Sequence, residues 1–359
     1  MRSGDCPGCF ASDARYSNGA GWGRGSSAGR WSGGGAGSAW AADSPADGVN
    51  CPGMRAATAG LTSIVTVNFN AGEHLAAGAG AVLASTVPVE LLVVDNGSTD
   101  GSLARLRAAV GDDPRVRIFE NGANLGFARA NNRALAHARG EWLLFLNPDC
   151  VAGPDTIARM QEAVAHHAEA GIGGCLLLNP DGTEQAGCRR ESPTPAKALA
   201  RAFGLAGLAR RLGLASDIAR DFVRLGDPLP PHPVAVDAIS GAFMLVRRDA
   251  LERVGPLDEG YFLHCEDLDW CARFRQAGYT VLFVPQVAVV HEKGTSSRGR
   301  PVRVLWHMHR GMVRYYRKFL RDRYPLPLLW LVVAGVWLRF AVLATSALLR
   351  RGLGHVLGR

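Results

Sequence analysis

The sequence predicts an α/β fold in which a parallel sheet is covered by helices on both faces. Four continuous apolar segments occur in the first half of the folded region, at 61–69, 88–96, 115–120 and 141–147. Such strands, separated by helical segments, are typical of a parallel sheet between two helix layers. Polar residues lie at or just after the strand ends: Asn70, Asp95, Asn121 and Asp149. Because ligands of such sheets bind at the carboxyl ends of the strands, this edge is the predicted site.

Hydrophobic periodicity predicts the remaining elements. Helices are expected between the strands, at 71–85, 97–110 and 124–139. The second half predicts a hairpin within 173–187, a strand and then a helix at 236–255, an amphipathic helix at 266–278 and two short strands at 280–294. The proline-rich stretch from 195 to 230 predicts helical and irregular structure.

Composition divides the chain into three parts. Residues 1–60 are rich in glycine, serine and alanine and show no apolar periodicity, which predicts a disordered tail. Met54 lies just before the first folded pattern and is an alternative start of the protein, which an intact-mass measurement would test. A folded domain is predicted over 61–300, followed by a basic amphipathic helix and a hydrophobic segment over 301–359.

Bulk composition restricts the classes of partner. A formal net charge of +8 favours anionic partners such as anionic lipids or phosphorylated small molecules. Nucleic acid is not expected, because the core sequence shows no alternation of basic and aromatic residues. The eight cysteines are irregularly spaced and are interpreted as reduced thiols of a cytosolic protein. Cys6 and Cys9 have CxxC spacing, but no second pair is present to complete a zinc site.

The C-terminal part predicts contact with a membrane. Residues 326–349 are apolar with a single charge, Arg339, and are long enough to span a bilayer. A tilted span, a hairpin, an interfacial helix and a buried core helix all remain compatible with this pattern. Basic residues precede it at Arg314, Arg317, Lys318, Arg321 and Arg323. If the segment spans, these cations place the preceding domain on the cytoplasmic side and suit lipid phosphates.

Two segments after the predicted strands carry candidate ligand-binding residues. Asp95 can accept hydrogen bonds from a base or a ribose hydroxyl, although Ser98 or Thr99 would also make this segment an ordinary helix cap. In the segment "NLGFARANN", Gly126 admits a close ligand and Arg129 offers a fork for phosphate. An ordinary cap with a solvated arginine is the alternative.

The stretch "LLFLNPDC" ends an apolar strand in Asn147, Pro148 and Asp149. This is a good turn sequence, and it also offers a carboxylate that can coordinate a hard cation such as Mg²⁺. The sequence has neither a GxxxxGK[ST] loop nor a GxGxxG loop. A phosphate site here therefore needs another source of positive charge, which a cation on Asp149 would supply.

An acidic pair and a histidine complete the candidates. Glu266 and Asp267 begin an amphipathic helix among aromatic residues, so a desolvated carboxylate there could act as a general base. Acids favoured by the helix dipole are the alternative. His291 ends an apolar strand and is either a metal or phosphate contact or a structural histidine.

Taken together, these segments resemble a known family. Seven segments occur in the order seen in family 2 glycosyltransferases: "VTVNFN", "LLVVDNGSTDGS", "NLGFARANN", "LLFLNPD", "SGAFMLVRR", "FLHCEDLDWCARFRQAG" and "HEKGTSS". Over about residues 62–320, the sequence resembles the rhamnosyltransferase-like branch of bacterial surface-polysaccharide synthesis. The resemblance implies an A-type glycosyltransferase fold, a nucleotide-sugar donor, a divalent cation (Mg or Mn) and inversion at the anomeric carbon.

The resemblance also implies residue roles. Asp95 would contact the nucleotide base, and Asn124, Arg129 and Asn131 would line the nucleotide site. With the strand-end residue Asn70 and with Gly126, these are the predicted nucleotide-sugar-binding residues. Asp149 would be the metal-binding acid, with Asn147 in place of the first acid of the family's DxD-like element and His291 as a metal or diphosphate contact. Asp267 would be the general base, beside Glu266.

The expected activity is transfer of a sugar, best L-rhamnose from dTDP-rhamnose, to a hydroxyl of a lipid-linked or polysaccharide acceptor in cell-envelope synthesis. The enzyme would act at the cytoplasmic face of the plasma membrane, and the irregular 188–232 stretch would choose the acceptor. A non-catalytic protein that binds a sugar nucleotide or a lipid carrier, and a transferase for another sugar, are the alternatives.

Overall fold

A computed structural model describes residues 54–202, 227–292 and 301–356. Most of the predicted N-terminal tail, and much of the 188–232 stretch expected to choose the acceptor, lie outside these residues. Within them the chain forms eleven strands and nine helices. The strands are β1 Thr58–Asn68, β2 Val89–Asp95, β3 Val116–Glu120, β4 Gly140–Leu146, β5 Cys150–Val151, β6 Ala170–Leu178, β7 Arg189–Arg190, β8 Val234–Ala235, β9 Ala238–Ile239, β10 Phe243–Arg247 and β11 Thr280–His291. The helices are α1 His74–Leu83, α2 Ser102–Val110, α3 Phe127–Leu135, α4 Thr156–Ala165, α5 Pro195–Ala202, α6 Arg248–Val254, α7 Glu266–Gln276, α8 Pro301–Phe319 and α9 Leu326–Val356.

One mixed sheet organises the domain, with strand order β3-β2-β1-β4-β10-β6-β11-β5 and with β8 paired to β11. The first four strands are mutually parallel, as the apolar segments predict. β10 then runs antiparallel between β4 and β6, and β6 and β11 are again parallel. The prediction of an α/β fold with a mostly parallel sheet is confirmed, with the antiparallel β10 as an addition.

The register of the parallel strands explains why their polar ends meet. Asn68, at the end of β1, pairs with Asp95 at the end of β2, and Asp95 pairs with Glu120 at the end of β3. Every residue of β2 is buried, which accounts for its continuous apolar sequence. The carboxyl ends therefore form one edge of the sheet.

Several predicted bounds are corrected by the structure. β1 begins at Thr58, so the predicted tail, drawn to residue 60, extends too far. The two strands predicted at 280–294 form one strand, β11, whose register shifts between Val284 and Ala288 around a proline. In place of the second strand of the hairpin predicted at 173–187, one antiparallel bridge joins Leu178, the last residue of β6, to Glu184.

The apolar C-terminal segment forms a single helix, α9, and not a hairpin. Within the described residues it is the one helix long and apolar enough to cross a membrane, with a mean hydropathy of 2.1 in its most apolar 18-residue window within Leu326–Arg350. Only 28% of its most apolar window is buried, and Trp330 and Val342 are 66% and 57% exposed. A helix of a soluble core would bury most of this surface, so the exposed face favours a membrane-associated segment.

A buried charge cluster joins β2 to its neighbours at the edge away from the candidate site. The Glu90 side chain is 2% exposed and accepts hydrogen bonds from Arg117 (2.9 Å), Arg139 (2.9 Å) and the Ser63 hydroxyl (2.5 Å). Burial alone would raise the pKa of Glu90, but these donors outweigh it and the pKa lies below its ordinary value. The cluster therefore holds an ionised carboxylate inside the sheet.

We expect Glu90→Ala to lower the free energy of unfolding by about 1–3 kcal/mol, because it leaves the buried Ser63 hydroxyl and two partly exposed guanidinium groups without their acceptor. Urea unfolding of the full-length protein in detergent measures this. Glu120→Ala is the matched control: its pair with Arg107 is more than half exposed on both sides, so its loss should cost about 0–1 kcal/mol. Equal effects of the two substitutions would contradict the structural role of Glu90.

Candidate active site

A cavity of about 350 Å³ opens at the carboxyl edge of the sheet. Its walls come from the ends of β1 and β4, the start of α3, the start of α7, the end of β11 and the first turns of α8. Among the residues that line it are Asn96, Asn124, Gly126, Asn147, Asp149, Gln185, Arg190, Gly241, Phe262, Glu266, Asp267, His291, Arg303 and His307. Six of the ten predicted site residues therefore share one cavity: Asn124, Gly126, Asp149, Glu266, Asp267 and His291.

The other four predicted site residues lie outside this lining. Asp95 is buried, and its carboxylate accepts hydrogen bonds from the Asn68 amide (2.7 Å) and from the backbone of Gly97 and Ser98 (both 3.0 Å). Asp95 thus shapes the turn after β2 and presents the next residue, Asn96, to the cavity. Its contact with a nucleotide base stays a prediction.

Asn70, Arg129 and Asn131 likewise make contacts within the protein. The Asn70 side chain accepts a hydrogen bond from the Thr99 backbone N–H (2.8 Å), and Asn131 is buried and donates to the Phe127 carbonyl (2.9 Å). The Arg129 side chain is 63% exposed, 3.7 Å from Glu259. A nucleotide-binding role for these three residues stays a prediction.

At Gly126 the backbone at the start of α3 closely approaches the segment that leads to α7. Its φ of +88° belongs to the region that favours glycine, and the next residue, Phe127, donates its backbone N–H to the Phe262 carbonyl (2.8 Å). A Cβ at Gly126 would lie 2.6 Å from that carbonyl oxygen. The position therefore accepts only glycine if Phe262 is to stay in the cavity wall.

Asp149 and His291 meet where β5 pairs with the end of β11. The Asp149 Oδ1 atom lies 3.1 Å from the His291 Nε2 atom, and both side chains are more than nine-tenths buried. On its other side, His291 Nδ1 lies 2.6 Å from Gln185 Oε1. The Gln185 amide nitrogen donates to the carbonyls of His291 (3.0 Å) and of the Asn179 side chain (3.1 Å), so its oxygen must face the ring.

This arrangement selects the histidine tautomer. Because Gln185 Oε1 can only accept, the hydrogen of the neutral ring lies on Nδ1 and the Nε2 lone pair points toward Asp149. Two lone-pair atoms 3.1 Å apart repel each other unless a proton or a cation lies with them. A carboxylate and an oriented imidazole, supported by a second hydrogen-bonding residue, form a donor set that suits a divalent cation.

Cys150 lies within 4.8 Å of the same donor atoms. Its burial, and then the charge of Asp149, raise the pKa of this thiol well above its ordinary value. The thiol donates to the Ala242 carbonyl (3.4 Å) and stays protonated. Because Mg²⁺ and Mn²⁺ prefer carboxylate and imidazole ligands to a thiolate, Cys150 is not expected to be a ligand.

The acidic pair begins α7 after two residues with left-handed backbone, His264 (φ +68°) and Cys265 (φ +72°). Such backbone costs of order 1–3 kcal/mol per residue and clusters at functional sites. The Asp267 carboxylate accepts hydrogen bonds from Arg190 (2.5 Å) and from the backbone of Gly241 (3.0 Å). Among the described residues, the Glu266 Oε2 atom is buried and has no hydrogen-bond partner.

The two acids consequently differ in protonation. Burial, and then the adjacent charge of Asp267, raise the pKa of Glu266 to about 8. Burial also acts on Asp267, but attraction and hydrogen bonding from Arg190 outweigh it and lower its pKa. At neutral pH Glu266 therefore retains a proton, while Asp267 is ionised.

Sequence reasoning missed several residues of the cavity. Asn96 connects the turn after β2 to the segment before α3, since its side chain donates to Asn124 Oδ1 and to the Gly126 carbonyl (both 3.3 Å). Arg190 lies in the irregular 188–232 stretch and Gln185 in the predicted hairpin at 173–187, and neither segment carries a motif that identifies them as site residues. The adjacency of Asn96 to Asp95 was a signal that could have been used.

Comparisons with known proteins identify the family. The family model described as "Glycosyl transferase family 2" matches residues 63–219, and that described as "Glycosyl transferase family group 2" matches residues 209–356. A relative from Mycobacterium tuberculosis (strain CDC 1551 / Oshkosh), named N-acetylglucosaminyl-diphospho-decaprenol L-rhamnosyltransferase, is 32% identical over 303 residues, which cover 80% of this chain and 94% of the relative. The chain belongs to glycosyltransferase family 2.

Further likenesses support this enzyme class. The rhamnosyltransferase WbbL of Escherichia coli (strain K12) is 28% identical to this chain over 187 residues. The match covers 48% of this chain and 63% of WbbL. Among solved structures, the mannosyltransferase PcManGT from Pyrobaculum calidifontis, in complex with GDP-Man and Mn²⁺, shares the fold. Its TM-score is 0.50 at 19% identity, and the match covers 82% of this chain and 80% of that one. The predicted A-type glycosyltransferase fold and the rhamnosyltransferase-like character are confirmed.

We expect Gly126→Ala to reduce glycosyl transfer by at least about tenfold, since a displacement of the order of 1 Å in a site can cost far more than that. Gly122→Ala is the matched control: it has a similar φ of +70° but no atom within 4 Å of its Cβ. Both variants should lose a similar amount of stability from backbone strain, measured by thermal unfolding. Comparable activity losses in the two would show that the Phe262 contact is unimportant.

Proposed function

We propose that this family 2 glycosyltransferase transfers L-rhamnose from dTDP-rhamnose to a hydroxyl of a lipid-diphosphate-linked sugar, with inversion at the anomeric carbon. The observation that carries the proposal is the cavity itself, where an acidic pair and the Asp149–His291 pair face one space. The relative that this chain matches over 94% of its length supports the choice of sugar and acceptor, because its name states L-rhamnosyl transfer to N-acetylglucosaminyl-diphospho-decaprenol.

Asp267 is proposed to be the general base. It is the ionised member of the pair at neutral pH, whereas Glu266 already holds a proton and cannot accept another. The Gly241 N–H and the Leu268 N–H (2.8 Å) orient its carboxylate. Arg190 must release one oxygen of Asp267 when the acceptor hydroxyl enters, or share it with that hydroxyl.

The displacement follows from this placement. Asp267 takes the proton of the acceptor hydroxyl as the oxygen forms its bond to the anomeric carbon. The bond from that carbon to the nucleotide diphosphate breaks on the opposite face, and the electron pair leaves with the diphosphate. One base on one side and one leaving group on the other require inversion of the anomeric centre.

A divalent cation, Mg²⁺ or Mn²⁺, would be held by Asp149 and His291. When bound, it would neutralise negative charge that grows on the departing diphosphate. Asn147 lines the cavity beside this pair, with its amide nitrogen 3.4 Å from His291 Nε2. Since Asn147 is uncharged, Asp149 supplies the single carboxylate of this donor set.

Arg303 is a better-placed partner for the diphosphate than Arg129. Arg303 lines the cavity from the first turn of α8, with its guanidinium 5.7 Å from the centre of the Phe262 ring. Phe262 also stacks on His307 at 4.3 Å, so α8 and the segment before α7 enclose one side of the donor. The exposed Arg129 would need to move to reach the same ligand.

The enzyme is proposed to act at the cytoplasmic face of the plasma membrane. The exposed apolar face of α9 would lie in the bilayer, and the basic residues of α8 and of the turn after it would meet anionic head groups. A lipid-linked acceptor would then be presented at the same surface. A non-catalytic binding protein is disfavoured, because it would have no need of a buried acidic pair in the cavity.

Purified enzyme supplied with dTDP-rhamnose and an N-acetylglucosaminyl-diphospho-prenol should form a rhamnosylated lipid, measured by mass spectrometry. We expect Asp267→Asn to reduce turnover by about 10²–10⁴-fold, the usual contribution of a general base. The control Asp112→Asn makes the same change at an exposed position and should leave turnover unchanged. Transfer of a different sugar from a donor panel would overturn the choice of rhamnose alone.

The pH profile separates the two acids. With Asp267 as base, kcat/KM should show no acidic limb between pH 6 and pH 9 from this group, because its pKa lies below the ordinary value of 3.8. If Glu266 were the base, kcat/KM would fall as the pH drops below about 8, where that side chain takes up its proton. Steady-state rates across this range decide between them.

Removal of the cation should abolish transfer, and added Mn²⁺ should restore it. Gln185→Leu removes the hydrogen bond that orients His291, so we expect about 10–100-fold weaker Mn²⁺ binding, the usual cost of losing such support. Electron paramagnetic resonance of free Mn²⁺ measures this without turnover. Cys150→Ala is the control and should bind Mn²⁺ as the wild type does; full activity in EDTA would remove the cation from the proposal.

A further inference from the structure

A second cavity, of about 600 Å³, lies between α8, α9 and the loop that contains Gly260. Four cations line it, all on α8: Arg310, Arg314, Arg317 and Lys318. Their spacing of three and four residues places them along one side of the helix. Within the described part of the chain, no acidic side chain lines this cationic cleft.

Two of the four cations have acidic partners behind the cleft. Asp258 accepts hydrogen bonds from Arg314 (2.9 Å) and Lys318 (2.8 Å), and Lys318 also lies 2.7 Å from Asp269. The other two, Arg310 and Arg317, are exposed and have no acidic partner among the residues that the structure describes. The cleft therefore keeps uncompensated positive charge, which favours an anionic ligand.

The rest of the cleft lining is largely aromatic. Trp306 of α8 and Trp337 of α9 lie with their ring centres 4.9 Å apart, and Trp306 is 43% exposed. Trp337 belongs to the helix whose Leu338 and Val342 expose apolar side chains. Tryptophan is typical of the boundary between bilayer and water, so the cleft combines a charged wall with one suited to a lipid.

The cationic cleft and the candidate active site are consecutive along α8. Arg303, Val304 and His307 line the active-site cavity, whereas six residues of α8 from Trp306 onward, the last of them Lys318, line the cleft. At 1.5 Å per residue, the mean positions of these two sets of lining residues are roughly 12 Å apart along the helix axis. The loop before α7 also borders both cavities, since Gly260 lines the cleft and Phe262 lines the active-site cavity.

We propose that the cationic cleft binds the diphosphate of the lipid-linked acceptor. Arg310 and Arg317 pair with its two phosphates, Trp306 and Trp337 contact the first units of the lipid, and the sugar extends along α8 toward Asp267. The chain of the lipid then follows the exposed apolar face of α9. This inference rests on the proposed function, because it assigns the place of that function's acceptor.

Equilibrium binding tests the cleft without turnover. Full-length enzyme in neutral detergent micelles is titrated with N-acetylglucosaminyl-diphospho-prenol, with phosphatidylglycerol, or with an alkyl N-acetylglucosaminide that has no diphosphate. We expect the diphosphate lipid to bind at least about tenfold more tightly than either other probe, and the double variant Arg310→Gln/Arg317→Gln to lose this preference, as two charge-assisted contacts disappear. Quenching of tryptophan fluorescence reports occupation beside Trp306.

A charge-matched control separates the cleft from general electrostatics. Arg55→Gln/Arg350→Gln removes the same charge from exposed positions that do not line the cleft. This control should bind the diphosphate lipid as the wild type does. Equal losses in the two double variants, or equal affinity for phosphatidylglycerol and the diphosphate lipid, would overturn the proposal.

Kinetics distinguish failure of this proposal from failure of the proposed function. If the enzyme transfers sugar to the diphosphate lipid, Arg310→Gln/Arg317→Gln should raise the KM for that lipid by at least about tenfold, with kcat and the KM for the donor unchanged. An unchanged KM would overturn the cleft and leave the activity intact. Selective binding without any transfer would keep the cleft and overturn the proposed reaction.

Discussion

The pairing between the end of β11 and the short strand β5 is the contact on which the candidate site depends. Val290 and His291 pair with Val151 and Cys150, and the Glu292 backbone N–H donates to the Asp149 carbonyl at 3.0 Å. Backbone hydrogen bonds thus hold Asp149 beside His291, although the two lie far apart in the sequence. The donor set is built before any ligand arrives, which limits the reorganisation that binding requires.

Two buried acids, Glu90 and Glu266, differ in protonation because their surroundings differ. Glu90 is surrounded by donors and contributes stability as an ionised group. Glu266 lacks a donor for one oxygen and borders the charge of Asp267, so it holds a proton. A buried carboxyl group without a hydrogen-bond donor lowers the stability of the fold, and such groups are typical of catalytic and binding sites. The contrast between the two acids is therefore in keeping with the proposed location of the active site.

Helix α8 connects the parts of the molecule that the proposed reaction needs. Its first turns close the candidate active-site cavity, its middle carries the cations of the cleft, and one side packs against α9. Asp258 fastens it to the loop before α7 through Arg314 and Lys318, and these contacts, despite the opposing effect of burial, lower the pKa of Asp258 to about 2. The proposed contact with the membrane would therefore lie close to the acidic pair.

By itself, the sequence determined the α/β class, the four parallel strands and the edge at which their polar ends meet. These follow from local patterns: continuous apolar segments signal strands buried on both faces, and their length and order require parallel pairing. Only the tertiary structure showed that β10 enters antiparallel, that Asn96 and not Asp95 faces the cavity, and that Arg190 and Gln185 hold Asp267 and His291. These contacts join residues 77 and 106 positions apart, and no short-range pattern encodes such partners. Burial, which separates the protonation of Glu266 from that of Asp267, likewise exists only once the chain has folded around them.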